Sequence, residues 1–87
     1  MERIVKISNK SGIHVRPAAQ ISELANKFQA NVTFIKDGIE VNAKSIMELL
    51  TLAAGEGTKI AIKAEGADEI KAIDALEYLV NSKFSED

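Results

Sequence analysis

Hydrophobic and polar positions along this chain change period several times, and each change marks an element. Over residues 3–8, Val5 and Ile7 alternate with Lys6 and Ser8, with Ile4 as an extra apolar residue. A period of two is that of a half-buried strand. Residues 9–12 are rich in turn formers. Over 17–28 the apolar residues Ala18, Ile21, Leu24, Ala25 and Phe28 recur at helical spacing, while Gln20, Glu23 and Lys27 fall on the opposite face. Residues 31–36 carry Val32, Phe34 and Ile35 and predict a strand. Asp37-Gly38 then suits the left-handed backbone of a two-residue hairpin turn, and 39–43 predict the return strand.

Ser45 is a good N-cap for a short helix over 46–54, with Glu48 at the capping-box position, and Gly55-Glu56-Gly57 ends that helix. Over 59–65, Ile60, Ile62 and Ala64 alternate with polar residues in a last strand. Gly66-Ala67-Asp68 starts a final helix, where Asp68 and Glu69 suit the positive end of the dipole. Its apolar stripe is Ile70, Ile73, Leu76, Leu79 and Val80. The tail after Ser82 is expected to fray, with Phe84 available to dock. The order strand-helix-strand-strand-helix-strand-helix, with alternating strands, predicts an α+β sandwich: a sheet with one wet face and helices on the other.

Composition narrows the function classes. Eighty-seven residues predict one domain over 1–87. The formal net charge of -2 lacks the basic field of a nucleic-acid binder. With no cysteine and one histidine, disulfides, thiol catalysis and multi-histidine metal sites fall away, so no metal or cofactor is expected. No apolar run is long enough to span a membrane and no signal peptide is apparent, so a cytoplasmic address without membrane insertion is the expectation.

The single histidine, His14, lies in Ser11-Gly12-Ile13-His14-Val15-Arg16-Pro17-Ala18-Ala19. Proline is favoured in the first turn of a helix, so the imidazole is expected at or just before a helix N-terminus. Free backbone N–H groups and the helix dipole favour an anion there, and Arg16 adds a planar cation with forked donors. The segment thus offers a nucleophilic nitrogen and a receptor for the phosphoryl group it would carry. Ser45 reads as a helix cap that also sits where phosphate would be tolerated, with Lys44 as a neighbouring cation. Ile46, Met47, Leu49, Leu50 and Leu52 are too many apolar residues for a short helix to bury on one side. Part of that set is expected to form an exposed docking patch, including Met47 and Leu50.

Gly12-Ile13-His14-Val15-Arg16-Pro17-Ala18, followed by Val41-Asn42-Ala43-Lys44-Ser45-Ile46-Met47, resembles the histidine-containing phosphocarrier (HPr) family of the bacterial phosphotransferase system over essentially the whole chain. The resemblance implies an open-faced β-sandwich, a four-stranded antiparallel sheet covered on one face by three helices. It implies that His14 accepts phosphate on Nδ1 from phospho-Enzyme I and passes it to IIA domains of sugar permeases. Arg16 matches the residue that contacts phosphate, Pro17 shapes the loop, and Ser11 lies beside the site. Ser45 matches a serine that an HPr kinase/phosphorylase modifies, and Ile46, Met47, Leu50 and Leu52 match a partner-docking surface. Where the family commonly has Ala this chain has Val15, and where it often has Gly this chain has Glu48. A monomer is expected, since every partner must reach one face. Two alternatives stay open: a regulatory paralogue of the nitrogen branch, and a non-catalytic α+β protein-binding module.

Overall fold

The computed structural model describes residues 1–85. Its elements run β1 (Glu2–Lys6), α1 (Val15–Ala25), β2 (Asn31–Lys36), β3 (Ile39–Asn42), α2 (Ile46–Leu50), β4 (Lys59–Glu65) and α3 (Glu69–Asn81), followed by a 3-10 turn, Lys83–Ser85. The sheet order is β1-β4-β2-β3 and every pairing is antiparallel. Strand β4 therefore lies between β1 and β2, which run the same way, joined by α1. The fold is the α+β sandwich expected, with four strands and three α-helices.

Alternation within the strands sorts the two faces. Val5, Val32, Phe34, Val41, Ile60, Ile62 and Ala64 are buried under the helices, where Ala18, Ile21 and Ala25 of α1, Leu49 of α2 and Ala72, Ile73, Leu76 and Val80 of α3 meet them. Ile4, the residue that broke the alternation of the first strand, points away from this core and is exposed. The β2–β3 hairpin turns through Asp37 and Gly38, with φ of 52° and 81°, as a type I′ turn requires.

Two expectations need correction. Ile70 is 56% exposed and does not belong to the buried stripe of α3; Ala72 takes a place on it instead. Asp68 stands at the N-cap of α3, at the positive end as expected, and its carboxylate accepts from the Gln29 and Ala30 amides at 2.9 and 2.8 Å, pinning the entrance of β2. Those hydrogen bonds, the one from Gln29 foremost, hold the Asp68 carboxyl below its ordinary range. The chain past Ser82 does not fray at once, because Phe84 is buried in the 3-10 turn; residues 86–87 lie outside the described part.

Candidate functional site

The histidine is placed by three backbone hydrogen bonds and one close approach. Ile7 and Gly57 are tied across the loop, Gly57 N–H donating to the Ile7 carbonyl at 2.7 Å. Residues 9–12 form a tight turn in which Gly12 N–H donates to the Asn9 carbonyl at 3.2 Å. Gly12 is left-handed, with φ of 68°, and lies so close to residues 54 and 55 that a Cβ would meet the Ala54 oxygen at 2.3 Å. Only glycine fits there without a shift. Ile13 N–H then donates to the Ala54 carbonyl at 2.8 Å, and its side chain is buried. His14 follows with an extended backbone as the N-cap of α1, its side chain exposed and making no capping hydrogen bond.

Helix α1 starts two residues earlier than the proline suggested. Val15 and Arg16 occupy the first two helical positions, and Pro17, buried, is the third. Ala18 N–H is satisfied by the His14 carbonyl at 2.9 Å. Pro17 has no N–H, so the Val15 and Arg16 amides are the first-turn donors left over; neither has an acceptor among the described residues. Two backbone donors and the positive end of α1 thus lie beside an exposed imidazole, and Arg16, exposed, follows two residues on. Arg16 has no carboxylate partner among the described residues. Ser11 is exposed on the same turn, and its hydroxyl makes no hydrogen bond among the described residues.

The short helix α2 flanks this site. A groove between α1 and α2 is lined by Arg16, Gln20 and Glu23 on one side and Ile46 on the other. Met47 is 80% exposed and Ile46 and Leu50 are exposed as well, and Val15 beside the histidine is 63% exposed. Leu52 is a correction: α2 ends at Leu50, and Leu52, in the following turn, is buried with 3% exposure. It belongs to the core and cannot meet a partner.

Ser45 caps α2, its hydroxyl accepting from Glu48 N–H at 3.2 Å. The reciprocal half of the capping box does not form. Glu48 Oε1 accepts from the Asn42 amide at 2.9 Å, which ties α2 to the end of β3. The Lys44 ammonium is not at the Ser45 hydroxyl either: it donates to the Phe28 carbonyl at 2.9 Å, just past the C-terminal end of α1. At the other end of α2, Lys36 donates from β2 to the carbonyls of Leu52 and Ala53 at 3.0 and 3.3 Å. Sequence reasoning missed Lys36 and Asn9. Asn9 was legible only as a turn former, and Lys36 only as a polar strand residue.

Comparison with known proteins agrees with this geometry. Residues 1–82 match the family described as "PTS HPr component phosphorylation site". "Phosphocarrier protein HPr" of Treponema pallidum (strain Nichols) is 41% identical over 85 residues, covering 98% of this chain and 97% of that protein. "Phosphocarrier protein NPr" of Proteus mirabilis is 43% identical over 86 residues, covering 98% and 96%. The crystal structure of HPr from Thermoanaerobacter tengcongensis superposes with a TM-score of 0.96 at 44% identity, covering 100% of this chain and 98% of that one. Whole-length likeness in sequence and in backbone, carried by a fold that exposes its one histidine at a helix start, leads to one conclusion: the chain belongs to the HPr family of phosphocarrier components of the phosphotransferase system.

Proposed function

We propose that His14 is the phosphoryl acceptor and that the chain shuttles the group from phospho-Enzyme I to IIA domains of sugar permeases. One observation carries this reading: the exposed imidazole stands on the N-cap residue of α1, beside the unpaired Val15 and Arg16 amides. The Nδ1 lone pair attacks phosphorus in line as the nitrogen–phosphorus bond of the donor phosphohistidine breaks, the bonding pair returning to the donor ring. The two amides and Arg16 hold the equatorial oxygens, so stabilisation is by position and charge. An exposed, hydrated Arg16 keeps that hold weak enough for delivery. Ser11 borders the site, and Pro17 keeps the third helical position free of a competing N–H. Ile46, Met47 and Leu50 form the docking patch. The carrier acts as a cytoplasmic monomer.

Incubation with Enzyme I and radiolabelled phosphoenolpyruvate tests the proposal. The expected label is acid-labile and base-stable, and absent from a folded His14→Ala variant; label persisting in that variant would refute the assignment. An arm with ATP and an HPr kinase/phosphorylase tests Ser45, where an acid-stable ester is expected. Phosphate there would stand next to the Glu48 amide and the docking patch, and its charge would weaken docking to Enzyme I.

The nitrogen-branch alternative is not favoured over this reading, since relatives named HPr and NPr match the chain at similar identity, 41% and 43%. The histidine chemistry is the same in both, so the partners decide. Faster labelling by a nitrogen-branch Enzyme I than by the sugar-branch enzyme would establish it.

A further inference from the structure

The turn that carries His14 is closed by a side chain that the transfer chemistry does not use. Asn9 is fully buried, at 0% exposure. Its Nδ2 donates to the Gly12 carbonyl at 2.8 Å. That bond fixes which way the amide faces, since exchanging nitrogen and oxygen would set two acceptors against each other. The other arm, Oδ1, is equally buried and receives no hydrogen bond among the described residues. Burying an acceptor without a donor is unfavourable, so Oδ1 adds nothing to stability; the side chain's contribution is the bond from Nδ2 that satisfies the carbonyl of buried Gly12.

What the amide does is visible in the peptide it grips. The Gly12 carbonyl and the Ile13 N–H are the two polar ends of one peptide unit. Asn9 Nδ2 holds the first, and the Ala54 carbonyl holds the second at 2.8 Å. With both ends bonded, that plane cannot rotate. It lies one residue before His14, and Gly12 is the residue in the loop whose backbone is freest to turn. Release of the carbonyl end would let the plane rotate about the remaining bond and swing the histidine relative to the Val15 and Arg16 amides.

We propose that Asn9 is a positioning residue: it locks the Gly12–Ile13 peptide so that the imidazole stands in register with the anion donors of α1. The proposal rests on the phosphocarrier reading of His14, and its test separates the two. Asn9→Leu keeps the volume and removes both polar arms; Asn9→Ala removes them without filling the space.

The expected result for Asn9→Leu is a folded protein whose melting temperature is lowered, because the Gly12 carbonyl loses its donor, but stays above that of Asn9→Ala, which also leaves a void. Transfer from phospho-Enzyme I loses about ten- to a hundredfold in kcat, the scale of a misplacement of about 1 Å. KM for the carrier is unchanged, because Met47 and Leu50 are untouched. Amide NMR shifts should move at residues 12–16 and stay put in β2 and β4. A folded Asn9→Leu with parental kcat and parental shifts at residues 12–16 would overturn the proposal. So would unfolding of both variants, since the side chain would then be part of the structural core and nothing more. If the parent itself takes no label, the phosphocarrier reading fails, and the amide shifts still decide whether Asn9 holds the loop.

Discussion

Replacing Gly12 by alanine puts the packing of the histidine loop under direct test. Two separate effects act on the new methyl group. The backbone at φ of 68° is left-handed, which costs an L-residue about 1–2 kcal/mol. The Cβ would also sit 2.3 Å from the Ala54 oxygen and 2.7 Å from Gly55 Cα, both backbone atoms that no side-chain rotation can move aside. Displacing them is an overpacking error worth about 1–3 kcal/mol. The sum is about 2–5 kcal/mol, a large share of the stability of so small a domain. For this size it corresponds to a melting temperature about 10–30 °C lower. Gly38 supplies the control. It too is left-handed, with φ of 81°, but a Cβ there meets nothing within 4 Å, so Gly38→Ala reports backbone strain alone. Urea and thermal unfolding of both variants, followed by circular dichroism, give the difference. If Gly12→Ala is no more destabilising than Gly38→Ala, the close approach of the loop to residues 54 and 55 is not real. Transfer by the Gly12 variant should fall further than its stability explains, because the loop must part from the Ala54 carbonyl to make room.

Two further outcomes follow from burial and charge. Met47→Asp should leave the melting temperature unchanged, since the side chain is 80% exposed, yet raise KM for Enzyme I; Leu52→Ala, at 3% exposure, should instead lower stability by about 2–5 kcal/mol while KM stays the same. A parental KM in Met47→Asp would remove α2 from the docking surface. The Asp68 carboxyl is held below its unfolded value by the Gln29 and Ala30 amides, so its contribution is present at neutral pH and is lost as pH falls through its folded pKa. Asp68→Asn should therefore show a flatter loss of stability on acidification than the parent, measured by urea unfolding across the acidic range; parallel curves would show that the carboxylate is not paired.

Much of the fold could be read from the chain because strands and hairpin depend on local rules. The Asp37-Gly38 turn and the alternation in β2 and β4 fall where residue type alone puts them. The failures are all tertiary. Ile70 keeps helical spacing with Ile73 but lies in the first turn of α3 and is left largely exposed. Leu52 has the composition of an exposed patch, yet the chain leaves the helix after Leu50 and turns that side chain inward. Around the histidine, Gly12, Arg16 and Pro17 were legible because their chemistry is unusual. Asn9 and Lys36 were not, because an ordinary turn asparagine and an ordinary strand lysine acquire their roles only from carbonyls elsewhere in the chain.

Helix α2 has five residues, too few for an isolated helix to persist in water. It stands because Ser45 closes one end, Lys36 ties down the carbonyls beyond the other, and Leu49 anchors its middle in the core. On the docking reading proposed above, Met47 and Leu50 are consequently presented ready-made, and an incoming protein need not organise them. A surface that demands no folding on arrival spends none of its contact energy on ordering. On that reading, encounters with several partners in turn would proceed without refolding at each exchange.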